Sequence, residues 1–166
     1  MAFASTTTND FLIGRTPTPT PSNSSDVTVR FKLPFVAGDL TLNNLGNIGI
    51  LPAGCVPVAL LIDSDKLDTN GTPTIAWQLG ISNAAVVNNV QGAGGTAISA
   101  LTADGGAAWA TAQTVSQNGG QVQALSKALS RVTPTTYDRY IMIQATAAAA
   151  TAAAGEAAII FTYRFA

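Results

Sequence analysis

Three carboxylates, Asp63, Asp65 and Asp68, fall within six residues, a density that could serve a hard cation such as calcium through an oxygen-donor loop. The EF-hand spacing fails. Leu67 stands where a further oxygen ligand belongs, Lys66 brings opposing charge, and no glutamate closes the loop at the required distance. The composition favours a solvated turn that caps two strands, and no metal ligand is assigned. Cys55 is the sole cysteine, which rules out an intrachain disulfide. It follows Gly54 and opens an apolar run, the setting of a buried structural thiol rather than a nucleophile.

The chain has no histidine, so Ser-His-Asp and Cys-His catalysis are excluded, together with the commonest transition-metal ligand. Gly92-Ala93-Gly94-Gly95 is followed by no basic residue that could hold phosphate and reads as a flexible loop. Of nine acids, Asp10, Asp26, Asp39 and Asp104 sit in arm-like or loop-like surroundings, so a facing pair for glycoside hydrolysis is not supplied. Trp77 and Trp109 could stack on a sugar. Trp77, however, shares an alternating face with Ile75, Leu79 and Ile81 and is expected in the core. The reading is of a protein with no catalytic residue and no cofactor.

Only 10% of the 166 residues are charged and the formal net charge is −1. Phosphate binding needs a clustered excess of Lys and Arg, so nucleic acid is not an expected partner. A surface so poor in charge points instead to assembly with other subunits. No segment has the pattern of a signal peptide, so export by the usual route is not expected. Val56 to Ile62 is interrupted by Pro57 and Ala145 to Ala158 by Thr146, Thr151, Gly155 and Glu156, so neither reads as a membrane span.

Residues 1–26 read as an extended arm. Pro17, Pro19 and Pro21 alternate with threonine in a polyproline-like run, and Phe11, Leu12 and Ile13 form an apolar patch suited to docking on the body or on a neighbouring subunit. From Val27 strict alternation begins, with Val27, Val29, Phe31 and Leu33 on one side of a half-buried strand. Val56 to Asp63 predicts a central strand buried on both faces, and Thr74 to Ile81 a further alternating strand. Asn70-Gly71 between them predicts an antiparallel pair. Tyr140 to Ala145 and Ala157 to Phe165 predict two more strands. Ser82 to Gly120 suggests short strands joined by long loops, and Val122, Leu125, Leu129 and Val132 suit one short amphipathic helix, with a strand as the alternative. The pattern predicts an all-β fold over residues 27–166, an antiparallel β-sandwich of jelly-roll type. Val29, Phe31, Val58, Leu60, Ile75, Trp77, Leu79, Ile141, Ile143, Ile159 and Phe161 are the expected core.

Leu51-Pro52-Ala53-Gly54-Cys55, the apolar run after it, the acidic Asp65-Lys66-Leu67-Asp68 turn with Gly71-Thr72-Pro73, and the strand to Ile81 together resemble a group of short structural proteins of tailed phages. The stretch from Asp138-Arg139-Tyr140 through the Ala-rich connection to the alternating last strand is similar to them too. The resemblance implies a virion protein, some of whose relatives look like jelly-roll cement (decoration) proteins lying on the capsid surface. It further implies the major capsid protein and a second copy of the chain (homodimer or homotrimer) as partners, and assembly in the host cytoplasm. On that reading the arm residues Phe11, Leu12, Ile13, Pro17, Pro19 and Pro21 meet capsid or sister subunits. The alternative is a tail- or neck-associated attachment or carbohydrate-binding module.

Overall fold

A computed structural model describes residues 17–22, 25–86, 101 and 105–166. The strands are β1 (Val27–Phe35), β2 (Leu45–Leu51), β3 (Cys55–Ser64), β4 (Ala76–Ala85), β5 (Ala107–Gln113), β6 (Gly120–Gln123), β7 (Arg139–Ala147) and β8 (Gly155–Phe165). Two single-turn helices, α1 (Val115–Asn118) and α2 (Lys127–Ser130), flank β6. One four-stranded sheet runs β1-β8-β3-β6 and the other β2-β7-β4-β5, with every neighbouring pair antiparallel. The chain is thus an all-β sandwich. Its pairs β1·β8, β2·β7, β3·β6 and β4·β5 are nested, as in one long hairpin folded over on itself.

Period-two placement builds the core as the sequence predicts at most positions. Phe31, Leu33, Leu60, Ile159, Phe161 and Tyr163 from one sheet meet Trp77, Leu79, Ile81, Trp109, Ile141 and Ile143 from the other, all buried. Trp109, Phe161 and Tyr163 form a ladder of rings with centroids 5.7 and 5.3 Å apart. Phe31 lies over Gly49, where an added Cβ would come within 2.7 Å of its ring.

Four expectations are corrected. Val58 is 43% exposed, because a bulge between Pro57 and Ala59 inserts an extra residue opposite the Tyr163-Thr162 step. Cys55 and Pro57 point inward before the bulge, and Leu60 and Ile62 after it, so β3 lies centrally in its sheet but has one buried face rather than two. β3 and β4 do not pair: they belong to different sheets, and the Asn70-Gly71 segment lies in a connection that crosses between them. The helix expected over Gln121 to Val132 is divided between β6 and α2. Val122 and Leu129 reach the same core from a strand and from a turn, and Leu125 between them is 82% exposed.

The outer faces of the two sheets differ. Over β2-β7-β4-β5, Leu101 is fully buried with Leu45 and Met142, and Gln144 Oε1 accepts from Leu101 N at 3.2 Å and from Gln78 Nε2 at 2.6 Å. The outer face of β1-β8-β3-β6 carries Arg30, which donates to Asp63 at 2.9 Å and Glu156 at 2.8 Å, and the Thr28-Thr162 hydroxyl pair. These ion pairs are partly exposed, and each contributes at most about 1 kcal/mol.

β5 sits unusually close to its partner. A Cβ on Gly80 would lie 2.1 Å from the Ala107 carbonyl oxygen and 2.8 Å from Ala108 Cα, both backbone atoms that cannot rotate away. Gly80→Ala is expected to lower stability by about 1–3 kcal/mol through this overpacking. Amide exchange should accelerate at Ala107 to Ala110 while β7 stays protected; unchanged protection of β5 would contradict the reading.

Candidate functional site

The acidic segment is built for structure. Asp68 is fully buried, and its carboxylate accepts five backbone N–H bonds. Asn70 and Thr151 donate to Oδ1 at 3.2 and 3.0 Å, and Thr74, Ala150 and Ile75 to Oδ2 at 2.8, 2.9 and 3.3 Å. Burial pushes its pKa up, but the bonds from Thr151, Thr74, Ala150 and Asn70 outweigh that and hold the carboxyl well below the usual range. The expected solvated turn is therefore a buried clamp that fastens the β3-β4 connection to the Ala-rich β7-β8 connection. Asp65 Oδ2 accepts from Glu156 N at 2.8 Å, and Asp63 is held by Arg30. The three acids do not converge, and the described residues contain no group of three His, Cys, Asp or Glu able to hold a metal.

Beside this clamp a buried hydroxyl chain crosses the sandwich. Ser64 Oγ donates to the Asp65 carbonyl at 2.8 Å, so the 2.6 Å contact with Ser116 takes its proton from Ser116, whose oxygen in turn accepts from Trp77 Nε1 at 2.8 Å. Every donor is satisfied in one direction only, which fixes α1 against β3 and β4. Trp77 is thereby fully committed to the core and offers no face to a sugar.

Cys55 is buried at 1% exposure. Burial, with help from Asp138, raises its pKa, leaving the thiol protonated at neutral pH as suits a structural cysteine. Close by, the Tyr163 hydroxyl donates to the Pro19 carbonyl at 2.5 Å and Pro21 is buried, whereas Pro17 and Pro19 are exposed. The Thr-Pro run thus begins on the body, across the sandwich end where β1 starts. Phe11, Leu12 and Ile13 lie outside the described residues. The same end exposes Tyr137 and Phe165, linked through Gly54: Phe165 lies within 3.5 Å of where a Gly54 Cβ would be, and Gly54 N donates to Thr135 O at 2.8 Å. Arg139, buried nearby, donates from Nη2 to Thr133 O at 2.9 Å, and burial lowers its pKa. Its Nε finds no acceptor.

A concavity of about 360 Å³ lies between β5 and the β6-α2 segment, each at an edge of its own sheet. Trp109, Gln113, Val122, Ala124 and Leu125 line it. No described residue in its lining is charged or could act as a general acid or base. The groove leaves no mark in the sequence: Trp109 falls in a stretch without a clean period, and the three- and four-residue spacing at Leu125 reads as a helix.

Fold and site together define an all-β sandwich with no catalytic constellation among the described residues. No family model and no curated protein matches the chain. Among solved structures it is similar to a chain of the capsid of Ralstonia phage GP4, with 28% identity, 95% of this chain and 96% of that one covered, and a TM-score of 0.78. A chain of the cyanophage Pam1 capsid asymmetric unit shares the fold, with 22% identity, 92% and 94% coverage and a TM-score of 0.60. The likeness to the GP4 capsid chain supports a structural role in a phage virion.

Proposed function

We propose that this chain is a cement (decoration) protein that binds the outer surface of a phage head and stabilises the shell. The end-to-end likeness to a GP4 capsid chain carries the proposal. We read the nested strand pairing as a jelly roll. Its partners are the major capsid protein and further copies of itself, as a homodimer or homotrimer. In this reading residues 1–26 act as an arm whose root is pinned by Tyr163 and whose outer part, with Phe11, Leu12 and Ile13, reaches neighbouring subunits. Pro17, Pro19 and Pro21 hold that reach extended.

Counting the chain against the major capsid protein in purified particles tests the role. A copy number of the same order as the shell protein is expected. A copy number typical of a single tail or neck assembly would overturn the cement reading in favour of an attachment module.

A further inference from the structure

We infer that the groove between β5 and β6 is the seat of the Phe11-Leu12-Ile13 segment of a second copy of this chain, laid as an added strand along β5. Four observations carry it. β5 (Ala-Ala-Trp-Ala-Thr-Ala-Gln) is an edge strand without charge or proline, the residues that usually guard an edge, whereas the β1 edge carries Arg30, Lys32 and Pro34. Trp109, in the groove lining, keeps its indole Nε1–H buried without an acceptor, and a strand laid there would bring main-chain carbonyls. Leu125 at the rim is 82% exposed, the most exposed of the described large hydrophobic side chains, and no charge among the described lining residues would oppose an apolar guest. Phe11-Leu12-Ile13 is matched to such a site, with Phe11 and Ile13 on one side of an extended segment and Leu12 on the other.

The length of the arm favours a second copy over the chain's own segment. The arm root lies at Tyr163, at the sandwich end where β1 starts. Were the residues before Pro19 to continue the extended path that proline imposes, Ile13 would stand roughly 19 Å from that root at about 3.1 Å per residue. A segment held that far out is offered to a neighbouring molecule.

The test uses full-length protein in solution, without particles, so its result is separate from that of the copy count. In a Cys55→Ala background, a tagged chain carrying Leu12→Cys is mixed with an untagged chain carrying Leu125→Cys and treated with a short thiol cross-linker. A tagged-untagged heterodimer is expected. Adding Phe11→Asp and Ile13→Asp to the tagged chain should reduce its yield about tenfold or more, since charge would be buried in an apolar groove, with the circular dichroism spectrum unchanged. Absence of the heterodimer, a yield unaffected by the two aspartates, or, in a chain carrying both cysteines, cross-linking confined within single chains would each overturn the inference.

Discussion

Asp68→Ala is expected to cost several kcal/mol of stability. The substitution removes the acceptor of five backbone donors, the buried one of Ile75 and the part-buried ones of Asn70, Thr74, Ala150 and Thr151. A buried unsatisfied donor costs roughly 1–3 kcal/mol and a donor that water reaches in part costs less, so the total is about 3–5 kcal/mol. That is a large share of the stability of a weakly stable domain. Asp68→Asn should fare little better, because its amide nitrogen would face two or three N–H groups in place of an acceptor. Expression at low temperature followed by chemical denaturation measures the effect; a change in stability below about 2 kcal/mol would contradict the clamp.

The same carboxylate makes the fold acid-sensitive. Its folded pKa lies below the unfolded value of about 3.9, so its contribution is complete above that value. As pH falls from there toward the folded pKa the contribution drains away, and protonation removes it. The unfolding midpoint should therefore hold steady near neutrality and decline once the pH passes below about 4.

The second large effect concerns the particle. Shells stripped of this protein are expected to rupture or lose genome at lower temperature than complete ones, and to recover when it is added back. A ligand that binds only the assembled state contributes about 2.7 kcal/mol per site at a concentration one hundred times its dissociation constant, repeated over the shell. Deleting Met1 to Thr16 should weaken this attachment with the body still folded, since Pro19 remains to accept from Tyr163 and the buried Pro21 is kept. Deleting through Asp26 would also remove the acceptor of the Tyr163 hydroxyl and so confound attachment with stability. Equal rupture temperatures for stripped and complete particles would end the cement reading.

Alternation announces β1, β4 and β8 because each turns one face to the core and contains no bulge that reverses its parity inside the predicted run, whereas β7 reads only as an apolar run. β3 was found as a strand but misread beyond Pro57, since a bulge leaves no mark in residue type. β2 was hidden by Gly46 and Gly49, and at Gly49 the missing side chain is what admits the Phe31 ring. The role of Asp68 was unreadable for another reason. Its partners include backbone groups of Ala150 and Thr151, 82 and 83 residues away, and backbone donors carry no sequence signature. The groove at Trp109 escaped notice because it is formed by two sheet edges, and edge pairing is a property of the assembled sandwich.

The nested pairing also sets a schedule. β8 lies between β1 and β3 and hydrogen-bonds to both, so the first strand made waits for the last: Val27 pairs with Tyr163 and Phe35 with Gly155. Contacts of such sequence separation form slowly, since long loops must close before any pairing rewards them. A chain released from the ribosome before Gly155 would have neither a neighbour for β1 nor the strand that joins β1 to β3. Synthesis of β8 thus acts as a checkpoint: chains terminated before it cannot close the sheet, and only those that contain it reach the shape that could be built into a particle.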